Sequence, residues 1–290
     1  MVPTKAEGRS VVANGVRIGY SVSGHGVIPL VLVHGSWGSR HNWDAVVPGL
    51  SQLFRVVAYD RRGHSESSCP PGQGSFDEDV ADVAALIQHL DLAPAWVAGN
   101  SSGAAITLKL AAARPGLLRG IVVHEPPLAA LLPAGSPEAQ EWAAIDEGPM
   151  GEVLRLLERG DHSGGAECFV EKVALGPGAW AALPEPMRAM MTRNAPTYLD
   201  ELRDGSWRTV DERALARFAR PVLLTIGGDS ASPTTRITEP IYERLTVSLP
   251  QAERLAYADA GHIPHVTHPD EYVATLAGFV SRHERQGAGR

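Results

Sequence analysis

The chain of 290 residues is 44% apolar and 20% charged, enough to bury roughly three quarters of its unfolded surface in one large or two small globular units. Its 26 Lys and Arg against 33 Asp and Glu give a net charge of -7 with no basic block, which excludes phosphate-backbone binding as a main function, and no run approaches the ~20 apolar residues that span a bilayer. The N-terminal Met-Val-Pro-Thr-Lys-Ala-Glu-Gly-Arg lacks the apolar core of a secretory signal, and Cys69 and Cys168 cannot build a disulfide framework, so a reduced, cytoplasmic protein is expected.

The first apolar runs, Arg9 to Ala13 and Val16 to Ser21, flank Asn14-Gly15, a dipeptide that accepts the positive φ angles of a tight hairpin turn. Leu30 to Val33, Arg55 to Tyr59, Ala95 to Ala98 and Gly120 to Val123 follow as short β-branched runs, alternating with helical patterns such as Glu78 to Leu90 and Ala104 to Ala113. That alternation predicts an α/β fold with a mostly parallel, eight-stranded sheet covered by helices on both faces. From Pro126 to about Arg220 no strand is evident, and helices are predicted around Glu138 to Ile145, Glu152 to Glu158 and Pro186 to Arg203. The pattern resumes with a strand at Val222 to Ile226, a helix near Pro240 to Leu249, a strand at Glu253 to Tyr257 and a last helix from about Pro269 to Arg282. The chain thus divides into a core of residues 1–126 and 213–290 and a helical cap over 127–212. Ligands of parallel sheets bind outside the carboxyl ends of the strands, so the residues just after each strand carry the functional information.

After the strand at Leu30 to Val33 comes His34-Gly35-Ser36-Trp37-Gly38, a turn that can aim the Ser36 amide at a developing oxyanion while His34 braces it. Asp60-Arg61-Arg62-Gly63-His64-Ser65 reads as scaffold. Gly99-Asn100-Ser101-Ser102-Gly103 matches G-x-S-x-G between a strand and a helix. There a sharp turn pushes the Ser101 side chain outward, and the Ser102 amide at the helix start completes an oxyanion hole. His262, in Ala260-Gly261-His262-Ile263-Pro264 after the last strand, is the candidate base, whereas His265 and His268 read as loop or cap residues. Two acids remain open: Glu125 in His124-Glu125-Pro126-Pro127, and Asp229 in Gly227-Gly228-Asp229. Either could hold the imidazole in its reactive tautomer. Within the cap, Trp142, Met150, Leu154, Phe169, Trp180, Met187, Met190 and Met191 offer adaptable apolar surface for a hydrophobic substrate.

Together these segments resemble the α/β-hydrolase superfamily over nearly the whole chain. Ser101 argues against its dehalogenase and epoxide-hydrolase members, which carry aspartate at the elbow. The zearalenone-lactonase-like branch is similar in its Ser-Ser-Gly elbow, its His-Glu-x-Pro after the sixth strand, a cap segment like Gly178-Ala179-Trp180-Ala181-Ala182-Leu183 and a late His-x-Pro. The resemblance implies Glu125 as the acid and Trp180 as a pocket residue; Gly35 and Trp37, in the turn after Leu30 to Val33, are also expected at the substrate. Asp229 and Trp37 depart from that branch. The reaction it implies is acyl transfer through Ser101 on a carboxylic ester or lactone. Carbon–carbon bond hydrolases with a similar Gly-Asn-Ser elbow and non-catalytic ligand-binding proteins on the same fold are the rivals. No phosphate loop, dinucleotide fingerprint or His ligand spacing is present, so neither cofactor nor metal is expected. The expected partner is a hydrophobic small molecule, and a homodimer stays open.

Overall fold

A computed structural model describes residues 8–228 and 233–288. Eight strands form one sheet: β1 (Arg9–Ala13), β2 (Val16–Ser23), β3 (Ile28–Val33), β4 (Phe54–Tyr59), β5 (Ala95–Asn100), β6 (Leu118–His124), β7 (Val222–Gly227) and β8 (Glu253–Tyr257), in the order β1-β2-β4-β3-β5-β6-β7-β8. β2 pairs antiparallel with β1 and β4, and every later pairing is parallel. The β1–β2 hairpin turns on Asn14 and Gly15, whose φ angles of 51° and 76° meet the demand of a two-residue loop. β2, β3, β4, β5 and β6 each run beyond the stretch read from their β-branched residues, β5 and β6 because Asn100 and His124 join the ladder despite their polarity.

Alternate side chains of the central strands divide the core in two, as the period of two requires. Val31, Val33, Val57, Tyr59 and Val97 pack on one face. Leu30, Leu32, Val56, Ala58 and Trp96 pack on the other, with Tyr272, Leu276, Phe279 and Val280. Helices α1 (Val47–Leu50), α2 (Phe76–His89) and α3 (Ser102–Ala113) belong to the first half of the chain. α2 starts at Ser75, whose hydroxyl accepts from the Glu78 amide at 3.3 Å, and carries Asp77, Glu78 and Asp79 in its first turn, where the helix dipole favours them.

Between β6 and β7 the chain forms α4 (Pro137–Ile145), α5 (Gly151–Glu158), α6 (His162–Phe169), α7 (Ala179–Ala182), α8 (Glu185–Arg203) and α9 (Glu212–Leu215). Gly164-Gly165 disguises α6 in the sequence. Asp161 caps it by accepting from the Gly164 amide at 2.9 Å, and a Cβ at Gly165 would lie 2.6 Å from Leu157, so the glycine lets α6 sit close on α5. After β7 come α10 (Pro233–Ser248), α11 (Pro264–Thr267) and α12 (Pro269–Ala288). α10 begins seven residues before the expected Pro240, which lies inside the helix although proline is favoured at a first turn. Among the described residues no helix is long and apolar enough to cross a membrane.

One close approach fixes α3 against the sheet. A Cβ at Gly103 would stand 2.1 Å from the Val33 carbonyl oxygen, and one at Gly99 would stand 2.2 Å from the Gly103 oxygen. Gly103→Ala is therefore expected to cost at least about 2 kcal/mol by overpacking against backbone. Gly116→Ala, where an added Cβ meets nothing within 4 Å, should stay within about 0.5 kcal/mol of the parent. Urea unfolding of the two variants checks the contrast, and equal midpoints would refute the packing argument.

Candidate active site

Ser101 sits between the last residue of β5 and the first of α3 with φ 57° and ψ -124°. Backbone in this region costs a non-glycine residue about 1–3 kcal/mol and persists only where neighbours enforce it. Here the Ser101 amide donates to the His124 carbonyl at 2.8 Å, and its own carbonyl accepts from Ala104 at 2.8 Å. The turn after β3 lies directly over it: a Cβ at Gly35 would be 3.0 Å from Ser101 Cβ and 3.1 Å from the Asn100 oxygen. Glycine at 35 is what lets the two loops touch.

His262 follows β8 and is 8% exposed, while Glu125 follows β6 and is 2% exposed. His262 Nδ1 lies 2.6 Å from Glu125 Oε2. The other carboxylate oxygen, Oε1, accepts from the Gly227 amide and the Thr235 hydroxyl, both at 2.9 Å. Glu125 has φ 46°, and its amide donates to Tyr242 Oη at 2.9 Å, which in turn donates to the Thr225 carbonyl at 2.8 Å. Burial alone would raise the Glu125 pKa, but the His262 hydrogen bond, the neighbouring histidines and the Gly227 amide outweigh it and hold the group at about 2. Asn100 Nδ2 donates to the His262 carbonyl at 2.9 Å, fixing the loop that carries the imidazole to the end of β5.

His34, His265 and His124 are neutral near pH 7 and take a charge only well below it. Burial lowers His34 to about 3 and His265 to about 3, and His124 to about 4. His34 spans two loops, accepting at Nε2 from the Arg61 amide at 3.0 Å while Nδ1 faces the Gly35 carbonyl at 2.8 Å. It braces the turn by these two bonds.

Ser101 and His262 open into one cavity of about 70 Å³ whose walls include Gly35, Ser36, Trp37 and Asn100. The chain between β6 and β7 contributes Phe169, Val170, Ala174, Leu175, Leu183, Met187 and Met191. Val170–Ala174 is a π-helical turn continuing α6, a distortion that recurs at functional sites. Trp37 stacks against Tyr198 at 4.7 Å and Phe169 at 5.3 Å. Trp180 is not among the lining residues; it packs half-buried against the core, and its amide donates to Glu171 Oε1 at 2.7 Å. Trp142 instead stacks with Trp207 and the Arg208 guanidinium, and Met190 receives the Ser39 hydroxyl, so neither faces the cavity. Asp229 lies outside the described residues.

Thr235, Tyr242 and Asn100 had no separate signal in the sequence, since a lone hydroxyl or amide gains meaning only from what the fold places beside it. His124, Glu125 and His262 bring ligand atoms within 4.8 Å of one another, the described group with a donor set for a metal ion. Glu125 and His262 already bond each other there, so an ion would have to break that pair.

Residues 30–275 match the alpha/beta hydrolase family. The chain is 25% identical over 281 residues to the zearalenone hydrolase of Bionectria ochroleuca, covering 93% of this chain and 96% of that protein. It is 28% identical to the pimeloyl-[acyl-carrier protein] methyl ester esterase of Neisseria meningitidis serogroup A, over 89% of this chain and 78% of the other. A 43% identity to the dihydrolipoyllysine-residue acetyltransferase component of the acetoin cleaving system of Pseudomonas putida is confined to 96 residues, 33% of this chain, which spans about a quarter (26%) of that relative. The crystal structure of an alpha/beta hydrolase from Sphaerobacter thermophilus superposes with a TM-score of 0.72 at 26% identity, covering 94% of this chain and 100% of the other. With its sheet order, its strained serine after β5 and this match across most of its length, the chain belongs to the alpha/beta hydrolase family.

Proposed function

We propose that the protein is a serine hydrolase that cleaves a carboxylic ester or lactone carrying a hydrophobic acyl portion, with zearalenone-type lactones as candidate substrates. The observation that carries this reading is the buried 2.6 Å pairing of His262 Nδ1 with Glu125, opening into the same cavity as the strained Ser101. Relatives matched over most of their length, named as a zearalenone hydrolase and a methyl ester esterase, support it.

Glu125 fixes His262 with its proton on Nδ1, which leaves Nε2 free to accept the Ser101 proton as Oγ attacks the acyl carbon. The amides of Ser36 and Ser102 receive the oxyanion, and collapse expels the alcohol, protonated by His262. Water activated by His262 then cleaves the acyl-enzyme. From a lactone the product is a single ring-opened hydroxy acid. Helices of residues 127–212 act as a cap: Phe169, Leu175, Leu183, Met187 and Met191 present an apolar wall to the acyl group. The unbranched methionines are the parts able to repack around a macrocycle larger than the cavity.

Purified protein and its Ser101→Ala variant, incubated with zearalenone, a panel of aryl esters and a vinylogous 1,5-diketone, test this reading by product mass. Ring opening or ester cleavage by the parent alone, with a loss of at least ~10³-fold in Ser101→Ala, is expected. Cleavage of only the diketone would make the protein a carbon–carbon bond hydrolase, and binding without turnover a ligand-binding protein.

Glu125→Gln should lower kcat by ~10²–10⁴ through loss of the tautomer and of imidazolium stabilisation, whereas Asp229→Asn should leave kcat within about threefold. The reverse order would transfer the acid role to Asp229.

The depressed pKa of Glu125 also sets a sign for stability. Its folded value, about 2, lies below the ordinary 4.5, so its stabilisation is complete above the unfolded value and disappears as pH falls toward the folded one. The Tm gap between parent and Glu125→Gln should therefore narrow as pH drops from about 6 to about 3. A constant gap would contradict an ionised, stabilised Glu125.

A further inference from the structure

We infer that Glu201, on α8 of the cap, is a positioning residue for the oxyanion hole, holding the side chains of both Ser36 and Ser102; the inference rests on the serine-hydrolase reading above. Glu201 Oε2 accepts from the Ser36 hydroxyl, and from the Ser102 hydroxyl at 3.4 Å, while the two hydroxyls lie 2.5 Å from each other. Its other oxygen, Oε1, accepts from Arg61 Nη1 at 2.8 Å. Glu201 is 4% exposed, Arg61 2% and Ser102 1%.

Arg61 does not need this carboxylate. Its guanidinium is already bound in two-pronged fashion by Asp79, at 3.1 Å through Nε and 2.7 Å through Nη2. A second buried carboxylate adds desolvation cost and repulsion from Asp79, and burial duly pushes the Glu201 pKa up. What it adds is a tether. Ser36 comes from the turn after β3 and Ser102 from the start of α3, distant in sequence, and each supplies its amide to the oxyanion. An amide stabilises the transition state only while it stays aimed, so side chains one bond from those backbones must be locked. Glu201 locks both with one oxygen, and Arg61 holds Glu201 in place. The same Arg61 donates its amide to His34, which braces Gly35. Because Glu201 belongs to the cap, the hole is complete only with α8 seated.

Glutamine at 201 cannot reproduce this pattern. Its NH2 would face either the Arg61 guanidinium or the Ser36 hydroxyl, whose proton it would turn away. With an ester that the parent cleaves, Glu201→Gln should lower kcat by ~10–100-fold, less than outright removal of an oxyanion donor, with KM within about threefold. An aryl boronic acid, which forms a tetrahedral anion on the serine, should bind more weakly by a similar factor. Ser36→Ala and Ser102→Ala keep the test open if Glu201→Gln folds poorly: each should lower kcat in the same way, and Glu201→Gln/Ser36→Ala should be no slower than its slower parent. Parent-like kcat in Glu201→Gln, additive losses in the double variant, or unchanged boronate affinity with a lowered Tm would overturn the role of Glu201. Retained turnover in Ser101→Ala would instead overturn the serine mechanism, so the two failures are distinct.

Discussion

An ionised carboxylate held away from water is the constraint on which the site depends. Burying such a charge without partners costs several kcal/mol, and Glu125 is 2% exposed. Three donors offset that cost, and each comes from a different part of the chain: Gly227 at the end of β7, Thr235 at the start of α10, and His262 after β8. They converge because parallel strands end on one edge of the sheet, so residues a hundred or more positions apart in sequence become neighbours. The helices between β6 and β7 do not interrupt this, since the pair is assembled from strand ends that remain adjacent whatever is inserted between them.

The parts of this arrangement visible in the sequence are those imposed by backbone geometry. Gly99 and Gly103 around Ser101 mark a helix pressed against the sheet, and the structure places a carbonyl oxygen where each side chain would begin. Asn14-Gly15 marks the hairpin for a different reason, the positive φ that both residues adopt. Glu125 and His262 were legible as candidates because each directly follows a strand. Glu201 was not: it lies within a helix whose pattern is that of any amphipathic surface, and only the packing of α8 on the turn after β3 shows that it points inward. Trp180 drew attention by its type and its setting, yet it packs half-buried against the core and is absent from the cavity wall. Residue type could not reveal that placement.

The helical insert therefore contributes to the site from two directions. Its apolar residues, from Phe169 to Met191, form one wall of the cavity beside Ser101. Its polar residues reach past that wall to the loops of the core: Asn194 Nδ2 donates to the Gly38 carbonyl at 2.7 Å, and its Oδ1 accepts from the Ser65 amide at 2.9 Å. Thr197 Oγ1 meets His64 Nε2 at 3.0 Å. A cap that only covered a pocket would need no buried polar contacts with the turns after β3 and β4. These contacts carry the desolvation cost of every group involved, which is compensated only while α8 keeps its place.

Backbone strain shows what those contacts hold. Among the described residues, six non-glycine positions have positive φ, and two of them, Asn14 and Asp91, are residue types that tolerate it. The other four are Trp37, Ser65, Ser101 and Glu125. Ser101 and Glu125 are the proposed nucleophile and acid, and Trp37 walls the cavity beside them. Ser65 and Trp37 are joined through Asn194, whose Nδ2 donates to the Trp37 carbonyl at 3.3 Å. Each such position costs about 1–3 kcal/mol and survives only where the surroundings over-determine it. The strain at Trp37 and Ser65 is tied down by Asn194 of α8, whereas that at Ser101 and Glu125 is held within the core by the His124 carbonyl and Tyr242: the sheet brings the strand ends together, and the insert then holds the strained turns after β3 and β4.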